Sequence, residues 1–289
     1  MTSCEGRVWW RQRARRGAQG LPEERAGPQP GSPRAGRPAV PTRLAAVQPR
    51  RPAIDSGQQP GAPRTGDVPP AAPSAPGLPA GLAAWLAAFQ PEDAPLLAAR
   101  QRSREVGVPA VDEATGAALR VLATVCDARH AVELGTGAGV STLWLVRGLH
   151  KDGVLTSIDA EPEHQRLAKL SLAEAGTPSG RVRLIAGRAL DVLPRLSDGG
   201  YDLVVCDAVP AEGVDYLPAA LRLLRTGGVV AFVGALAGGR VADPSARDPE
   251  VVAARELARA VREEPRLVPA VLPVGAGLLI GVKVEPPPS

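Results

Sequence analysis

Cysteines, aromatic residues and long apolar runs are all scarce in this chain of 289 residues. The three cysteines, Cys4, Cys126 and Cys206, are far apart and odd in number. This spacing argues against a disulfide scaffold and a clustered zinc site, and it fits a reducing, cytoplasmic compartment. No apolar run reaches the roughly 18 residues of a membrane helix, so no membrane partner is expected. Hydrophobic residues still make up 44% of the chain, which is enough for a sizeable core.

The charge and the prolines divide the chain near residue 80. Residues 1–80 carry 12 arginines, no lysine and five acidic residues, a net charge of +7, together with 15 of the 31 prolines. Residues 81–289 carry 22 basic and 25 acidic groups, a net charge of −3. Frequent proline and little apolar surface predict a disordered tail over residues 1–80. Its arginines are scattered, so a nucleic-acid partner is not expected.

Residues 81–289 show an alternation of helical and strand patterns, which predicts a single α/β domain. Three helices (82–89, 94–106 and 112–126) precede five strand–helix units. The five strands are predicted at 131–134, 154–159, 182–186, 202–207 and 229–233. Two final strands, 267–274 and 278–284, are joined by a glycine-rich turn and predict an antiparallel hairpin. The expected fold is a doubly wound, seven-stranded, Rossmann-like sheet that ends in this hairpin.

A glycine-rich loop follows the first predicted strand and opens a helix. Gly135, Gly137 and Gly139 allow positive φ angles and let a ligand approach the backbone closely. Ser141 lies at the start of the helix, where backbone N–H groups are free. Dinucleotides, nucleotides and S-adenosylmethionine all use such a loop, so the loop alone does not choose among them.

Acidic residues near this loop narrow the choice of ligand. Asp159 ends the second predicted strand, 24 residues after Gly135, where a carboxylate can accept both hydroxyls of a ribose. Asp207 ends the fourth strand, and Glu133 lies two residues before the loop. Extra carboxylates would repel a pyrophosphate but attract the sulfonium and ammonium groups of S-adenosylmethionine.

Six segments together resemble class I O-methyltransferases that use S-adenosylmethionine. They are similar to the bacterial, particularly actinobacterial, cation-dependent family that is related to catechol and caffeoyl-coenzyme A O-methyltransferases. The resemblance covers about residues 92–284. It rests on residues 132–141 (VELGTGAGVS), 156–164, 187–194, 201–208, 223–228 and 272–279.

The resemblance implies S-adenosylmethionine as cofactor and a role for each matching residue. Ser141 would bind the methionine carboxylate, Val111 would touch the methionyl end, and Asp159 would hold the ribose. Ala160 would lie beside the adenine, which the backbone N–H of Ala189 would contact. The complete set of expected cofactor-binding residues is Val111, Glu133, Gly135, Thr136, Gly137, Ser141, Asp159, Ala160, Ala189 and Asp207.

This chain lacks the residues that bind a divalent cation in the metal-dependent members of the family. Metal-dependent members use the fourth-strand Asp and an Asp-Asn pair at the end of the fifth strand. Val233 and Gly234 occupy the positions of that pair, and neither side chain can coordinate a cation. The family's lysine after the fourth strand is replaced by Pro210. The sequence therefore predicts no metal.

The resemblance also implies that Asp207 faces both the methionyl ammonium and the acceptor, which makes it the expected catalytic and substrate-binding residue. His130, His150 and His164 are interpreted as structural or solvated residues. Asp215 is a second candidate base, although ordinary carboxylates are weak bases towards phenols. Methyl transfer can also proceed mainly through proximity and alignment.

The function predicted is S-adenosylmethionine-dependent O-methylation of a small-molecule hydroxyl without metal. A first alternative is a protein that binds the cofactor but has lost catalysis, as the missing cation ligands and lysine suggest. A second alternative is an NAD-dependent oxidoreductase. Homodimers are usual in families of this kind, and a homodimer is therefore the assembly expected from the resemblance.

Overall fold

The computed structural model describes residues 80–285. The predicted disordered tail lies outside the described residues, apart from Ala80, which is the first residue of the first helix. The domain predicted over residues 81–289 falls within the described range up to residue 285.

Eight α-helices and seven strands make up the described part of the chain. The helices are α1 (Ala80–Phe89), α2 (Ala94–Glu105), α3 (Glu113–Val125), α4 (Val140–Gly148), α5 (Pro162–Glu174), α6 (Ala189–Val192), α7 (Gly213–Leu223) and α8 (Pro249–Glu263). The strands are β1 (His130–Leu134), β2 (Val154–Asp159), β3 (Val182–Ala186), β4 (Tyr201–Cys206), β5 (Leu224–Val233), β6 (Leu267–Leu272) and β7 (Leu278–Lys283).

The seven strands form one sheet in the order β3-β2-β1-β4-β5-β7-β6. Strands β1 to β5 are parallel to one another, whereas β7 pairs antiparallel with both β5 and β6. The predicted doubly wound sheet with a C-terminal antiparallel hairpin is therefore confirmed. The strand order reverses between β1 and β4, which is where such sheets bind ligands beyond the carboxyl ends of their strands.

Two hydrophobic layers cover the faces of the sheet, because successive side chains of a buried strand point to opposite faces. Ala131 of β1 packs towards α3 and α4, together with Leu143 and Trp144. Val132 packs on the other face, where Leu217 of α7 and Leu257 of α8 cover the sheet. These layers hold the strand ends, and therefore the loops that follow them, in fixed positions.

The largest departures from the predicted elements lie around β4 and β5. β5 begins at Leu224 rather than at residue 229, and the register between β4 and β5 shifts between Tyr201 and Leu203. Gly227 adopts a φ of +81° in this irregular stretch, a conformation that favours glycine. The predicted helix over 189–196 is α-helical only to Val192, and a 3₁₀ turn that contains Pro194 completes it.

Within residues 80–285, no helix is long and apolar enough to cross a membrane.

Candidate functional site

A cavity of about 490 Å³ lies at the carboxyl ends of the central strands. Nine of the ten expected cofactor-binding residues line it, and Glu133 is the exception. The nine are Val111, Gly135, Thr136, Gly137, Ser141, Asp159, Ala160, Ala189 and Asp207. The reversal of strand order thus brings together residues that are far apart in the chain, by up to 96 positions from Val111 to Asp207.

The glycine loop crosses the space between β1 and α4 in close contact with the neighbouring strand ends. The Gly135 N–H donates to the carbonyl oxygen of Ile158 at 2.8 Å. Gly135 has a φ of +91°, and a Cβ there would overlap the backbone carbonyl of Asp207. Only glycine fits this position, since it needs both a positive φ and the absence of a side chain.

The first turn of α4 faces the cavity with free backbone donors. Gly139 is the N-cap residue, and no side chain caps the helix. Val140 and Ser141 of the same turn line the cavity. The unpaired N–H groups and the helix dipole therefore favour a negatively charged group at this end of the cavity.

Asp159 links the end of β2 to the glycine loop and to α5. Its Oδ2 accepts the Gly137 N–H at 2.9 Å, and its Oδ1 accepts the Glu161 N–H at 2.9 Å. The Nδ1 atom of His164 lies 3.1 Å from Oδ1 of Asp159, and His164 lines the cavity. From the sequence alone, His164 is interpreted as a structural or solvated residue. Its position in the first turn of α5, directly after β2, was the signal that could have indicated the cavity.

Glu133 lies beneath the cavity and is fully buried. Its Oε2 accepts hydrogen bonds from the hydroxyls of Ser157 at 2.6 Å and Thr142 at 2.7 Å, whereas Oε1 has no hydrogen-bond partner in the part of the chain that the structure describes. Burial raises the pKa of Glu133 to about 7; the hydroxyls of Ser157, Thr142 and Ser141 oppose this rise, and the charge of Asp159 adds to it. The predicted cofactor-binding residue is therefore placed one layer behind the cavity wall.

Asp207 directly follows β4 and lines the cavity. Burial, and then the charge of Glu133, raise the pKa of Asp207 well above its usual value. Its backbone N–H donates to the carbonyl oxygen of Leu134 at 2.8 Å, which fixes it beside the glycine loop. Two carboxyl groups, Asp207 and Glu133, therefore lie near the end of β1, and no basic side chain among residues 80–285 bonds to either one.

The loop after β4 closes the side of the cavity opposite α5. Val209, Pro210, Glu212 and Tyr216 line this side. The Tyr216 hydroxyl donates to Oε2 of Glu212 at 2.5 Å, and Arg188 donates to Oε1 of Glu212 at 3.2 Å. Burial, and then the contact with Glu212, raise the pKa of Tyr216 above its usual range, so the phenol stays protonated and donates. Neither Glu212 nor Tyr216 was predicted as a site residue.

The side chains at the positions of the family's cation ligands cannot together coordinate a divalent cation. Cys206 of β4 pairs with Phe232 of β5, so the next residues, Asp207 and Val233, are at the same level of the sheet. Val233 and Gly234 offer no side-chain oxygen. In the described range, no three His, Cys, Asp or Glu side chains cluster in a way that could hold a metal ion.

The other candidate bases do not line the cavity. His130 lies at the opposite, amino end of β1, and the imidazole of His150 contacts Arg129 at 2.9 Å. Asp215 is exposed on α7 and is absent from the cavity wall.

Comparison with known proteins assigns the family. Residues 97–284 match the family model described as O-methyltransferase. This chain belongs to the O-methyltransferase family. A Mycobacterium tuberculosis protein named "Probable O-methyltransferase Rv1220c" is 52% identical over 192 residues, which is 66% of this chain and 86% of that protein. The family expected from the resemblance is thus confirmed.

Solved structures of similar proteins share the fold. A Corynebacterium glutamicum protein is 36% identical and superposes with a TM-score of 0.67, covering 71% of this chain and 96% of that one. The O-methyltransferase TomG of Streptomyces achromogenes, which is involved in tomaymycin synthesis, is 31% identical, with a TM-score of 0.65 and the same two coverages. TomG was solved in complex with S-adenosylmethionine.

Proposed function

We propose that this O-methyltransferase family member transfers a methyl group from S-adenosylmethionine to the hydroxyl of a small molecule. The observation that carries the proposal is the cavity wall itself. An uncapped helix N-terminus, a strand-end aspartate at ribose spacing and a second aspartate after β4 meet around one space. The S-adenosylmethionine bound by TomG supports the choice of cofactor.

The residues of the wall fit the parts of this cofactor. The N–H groups of the first turn of α4 and the hydroxyl of Ser141 would hold its carboxylate. Asp159 retains acceptor capacity for ribose hydroxyls, because a carboxylate can accept about four hydrogen bonds. Ala189 is the first residue of α6, so its N–H has no acceptor within that helix and is free for the adenine.

Asp207 and the loop after β4 would place the acceptor. When bound, S-adenosylmethionine supplies an electrophilic methyl group on a sulfonium. Asp207 would accept a hydrogen bond from the acceptor hydroxyl and orient it, while Val209 and Pro210 cover the opening with apolar surface. As the O–CH₃ bond forms and the S–CH₃ bond breaks, the hydroxyl proton would pass to the carboxylate of Asp207. Alignment of the two reacting groups contributes most of the acceleration in this scheme, so a strong base is not required.

We propose that catalysis proceeds without a divalent cation. The support is chemical, since Val233 and Gly234 cannot supply the oxygen ligands that Mg²⁺ or Ca²⁺ prefers. The test is a methylation assay on enzyme treated with a chelator, with and without added Mg²⁺. Equal rates are expected, and a rate that depends on Mg²⁺ would overturn this part of the proposal.

Two experiments test the function as a whole. Calorimetry measures the binding of S-adenosylhomocysteine and of NADH, and an assay then measures methyl transfer to a panel of hydroxylated acceptors. Binding of S-adenosylhomocysteine with turnover of an acceptor is expected. Binding without turnover of any acceptor would favour the alternative that catalysis has been lost. Saturable binding of NADH alone would instead indicate an oxidoreductase.

We also propose that the protein forms a homodimer in the cytoplasm. Trp85 and Phe89 of α1 stack at a ring distance of 5.4 Å and are 59% and 66% exposed. Val121 and Val125 of α3 are exposed as well. Light scattering coupled to size-exclusion chromatography tests the assembly, and a monomeric mass at micromolar concentration would contradict it.

A further inference from the structure

A chain of buried polar side chains runs behind the glycine loop, from α5 to β1. The Nε2 atom of Gln165 lies 3.0 Å from Oγ1 of Thr136, which lies 2.7 Å from Oγ of Ser157. Ser157 in turn donates to Oε2 of Glu133 at 2.6 Å. These four side chains are between 0% and 9% exposed, so the chain is closed to bulk water.

The hydrogen bonds of this chain run in one direction. Nε2 of Gln165 also donates to the carbonyl oxygen of Ile185 at 3.2 Å, and this second acceptor fixes the orientation of the amide. Thr136 therefore accepts from Gln165. Every hydroxyl proton finds an acceptor only if Thr136 donates to Ser157 and Ser157 donates to Glu133.

The direction of the chain decides what Thr136 can offer to a ligand. Thr136 is the only polar side chain in residues 135–139, and its hydroxyl is occupied by Gln165 on one side and Ser157 on the other. It therefore presents backbone, and not its hydroxyl, to the cavity. The next residue, Gly137, is held by Asp159, so the loop is anchored at two successive positions.

We propose that Ser157 and Gln165 are positioning residues for cofactor binding, which act through Thr136 to hold the glycine loop in its binding conformation. This inference rests on the proposed function. Because the loop is already ordered in the folded protein, cofactor binding loses no free energy in ordering it. The intact hydrogen bonds among these four side chains therefore lower the Kd for the cofactor. Neither Ser157 nor Gln165 lines the cavity, and their effect is therefore indirect.

The two residues act as one unit only if Thr136 connects them. Ser157 and Gln165 have no direct hydrogen bond and share Thr136 as their partner. Residues that share a partner in one network give non-additive effects when both are changed, whereas independent residues give additive free energies.

The test is a double-mutant cycle of Ser157→Ala and Gln165→Leu, read out as the Kd for S-adenosylhomocysteine. Each single variant is expected to raise Kd about tenfold, as follows from the loss of a buried hydrogen bond. The double variant is expected to stay near tenfold. A product near a hundredfold, or single variants that change Kd less than twofold, would overturn the proposal. Absence of binding by the unchanged protein would instead count against the proposed function.

Two further variants separate positioning from general stability. Thr156 precedes Ser157 in β2, so its buried side chain points to the opposite face of the sheet, away from the four hydrogen-bonded side chains. Thr156→Val removes its hydroxyl and should change the Kd for S-adenosylhomocysteine less than about twofold. Ser157→Cys keeps a weak donor and replaces Ser157→Ala in the cycle if the alanine variant does not fold. In assays of turnover, the KM for S-adenosylmethionine should rise while kcat changes little. An equal loss in Thr156→Val, or a fall in kcat alone, would contradict a positioning role.

Discussion

Oδ2 of Asp159 accepts a hydrogen bond from the backbone N–H of Gly137 at 2.9 Å. The end of β2 is thereby joined to the middle of the glycine loop, which lies 22 residues earlier in the chain. Spacing alone predicts that Asp159 binds a ribose, and the structure adds a second role for the same carboxylate. Loss of its charge should therefore weaken both the hold on the loop and the contact with the cofactor.

Asp159→Asn is expected to raise the Kd for S-adenosylhomocysteine by roughly 10- to 100-fold. Hydrogen bonds to a charged group contribute about 1.5–3 kcal/mol each, and the single NH₂ group of the amide would replace one of the two oxygens and so oppose either the Gly137 N–H or the Glu161 N–H, a donor against a donor. Isothermal titration calorimetry measures the change. The control is Asp191→Asn, because Asp191 is exposed and does not line the cavity. Equal affinities for the two variants would remove Asp159 from the site.

Gly135 and Gly137 provide a second prediction, because the two positions differ in the space around them. Gly135→Ala should lower the free energy of unfolding by roughly 3 kcal/mol or more and abolish cofactor binding, since the new Cβ would overlap the backbone of Asp207. At Gly137, which has a φ of +50°, a Cβ would only touch Cγ1 of Val108 at 3.4 Å. Gly137→Ala should therefore cost about 1–2 kcal/mol, the usual penalty of the left-handed conformation. Urea unfolding measures both, and a larger loss at Gly137 would contradict this description of the loop.

The raised pKa of Glu133 predicts how the free energy of unfolding depends on pH. Its pKa in the folded protein is about 7, above the value of about 4.3 in an unfolded chain. Between these values the folded state keeps a proton that the unfolded state has lost. The contribution of Glu133 to stability is therefore complete below pH 4 and is lost as the pH rises through 7. The loss amounts to about 4 kcal/mol at about 1.4 kcal/mol for each pKa unit.

The variant Glu133→Gln isolates this effect. Its free energy of unfolding, measured by urea at several pH values from 4.5 to 8, should fall less steeply with rising pH than that of the unchanged protein. Asp207 has a pKa raised mainly by burial in both proteins, and the variant also removes the part of that rise caused by the charge of Glu133, so the difference reports on Glu133 together with its coupling to Asp207. Identical slopes would show that Glu133 does not titrate in this range.

The sheet and most of the cavity could be predicted because each depends on local patterns. Alternation of apolar runs with helical periodicity predicted all seven strands, and the spacing from Gly135 to Asp159 predicted a carboxylate that the structure places in the cavity wall. The position of β5 was less accurate, because the register shift opposite Tyr201 depends on contact between two strands. A pattern within one strand carries no signal for such a shift.

The residues that were missed, and the depth at which Glu133 lies, depend on individual side-chain contacts that leave no periodic signal in the sequence. His164 reaches the cavity because Asp159 holds its imidazole, and Glu212 reaches it because Tyr216 and Arg188 bond to its carboxylate. Glu133 is set behind the wall by Ser157 and Thr142. The sequence shows that such side chains are polar, but it does not show which neighbour each one bonds to or whether it turns towards the cavity.

Tyr216 provides the last prediction, which concerns the acceptor side of the cavity. Tyr216→Phe removes the bond of 2.5 Å to Glu212 and should lower the free energy of unfolding by about 1–2 kcal/mol. The KM for the acceptor should rise, because the turn from Pro210 to Glu212 loses its link to α7. The Kd for S-adenosylhomocysteine should change less than about twofold, since the cofactor contacts proposed above leave Tyr216 free. The matched control is Tyr201→Phe, which removes the other tyrosine hydroxyl at the opposite end of β4. A large loss of S-adenosylhomocysteine affinity in Tyr216→Phe, or equal acceptor KM values for the two variants, would show that this loop does not form the acceptor side.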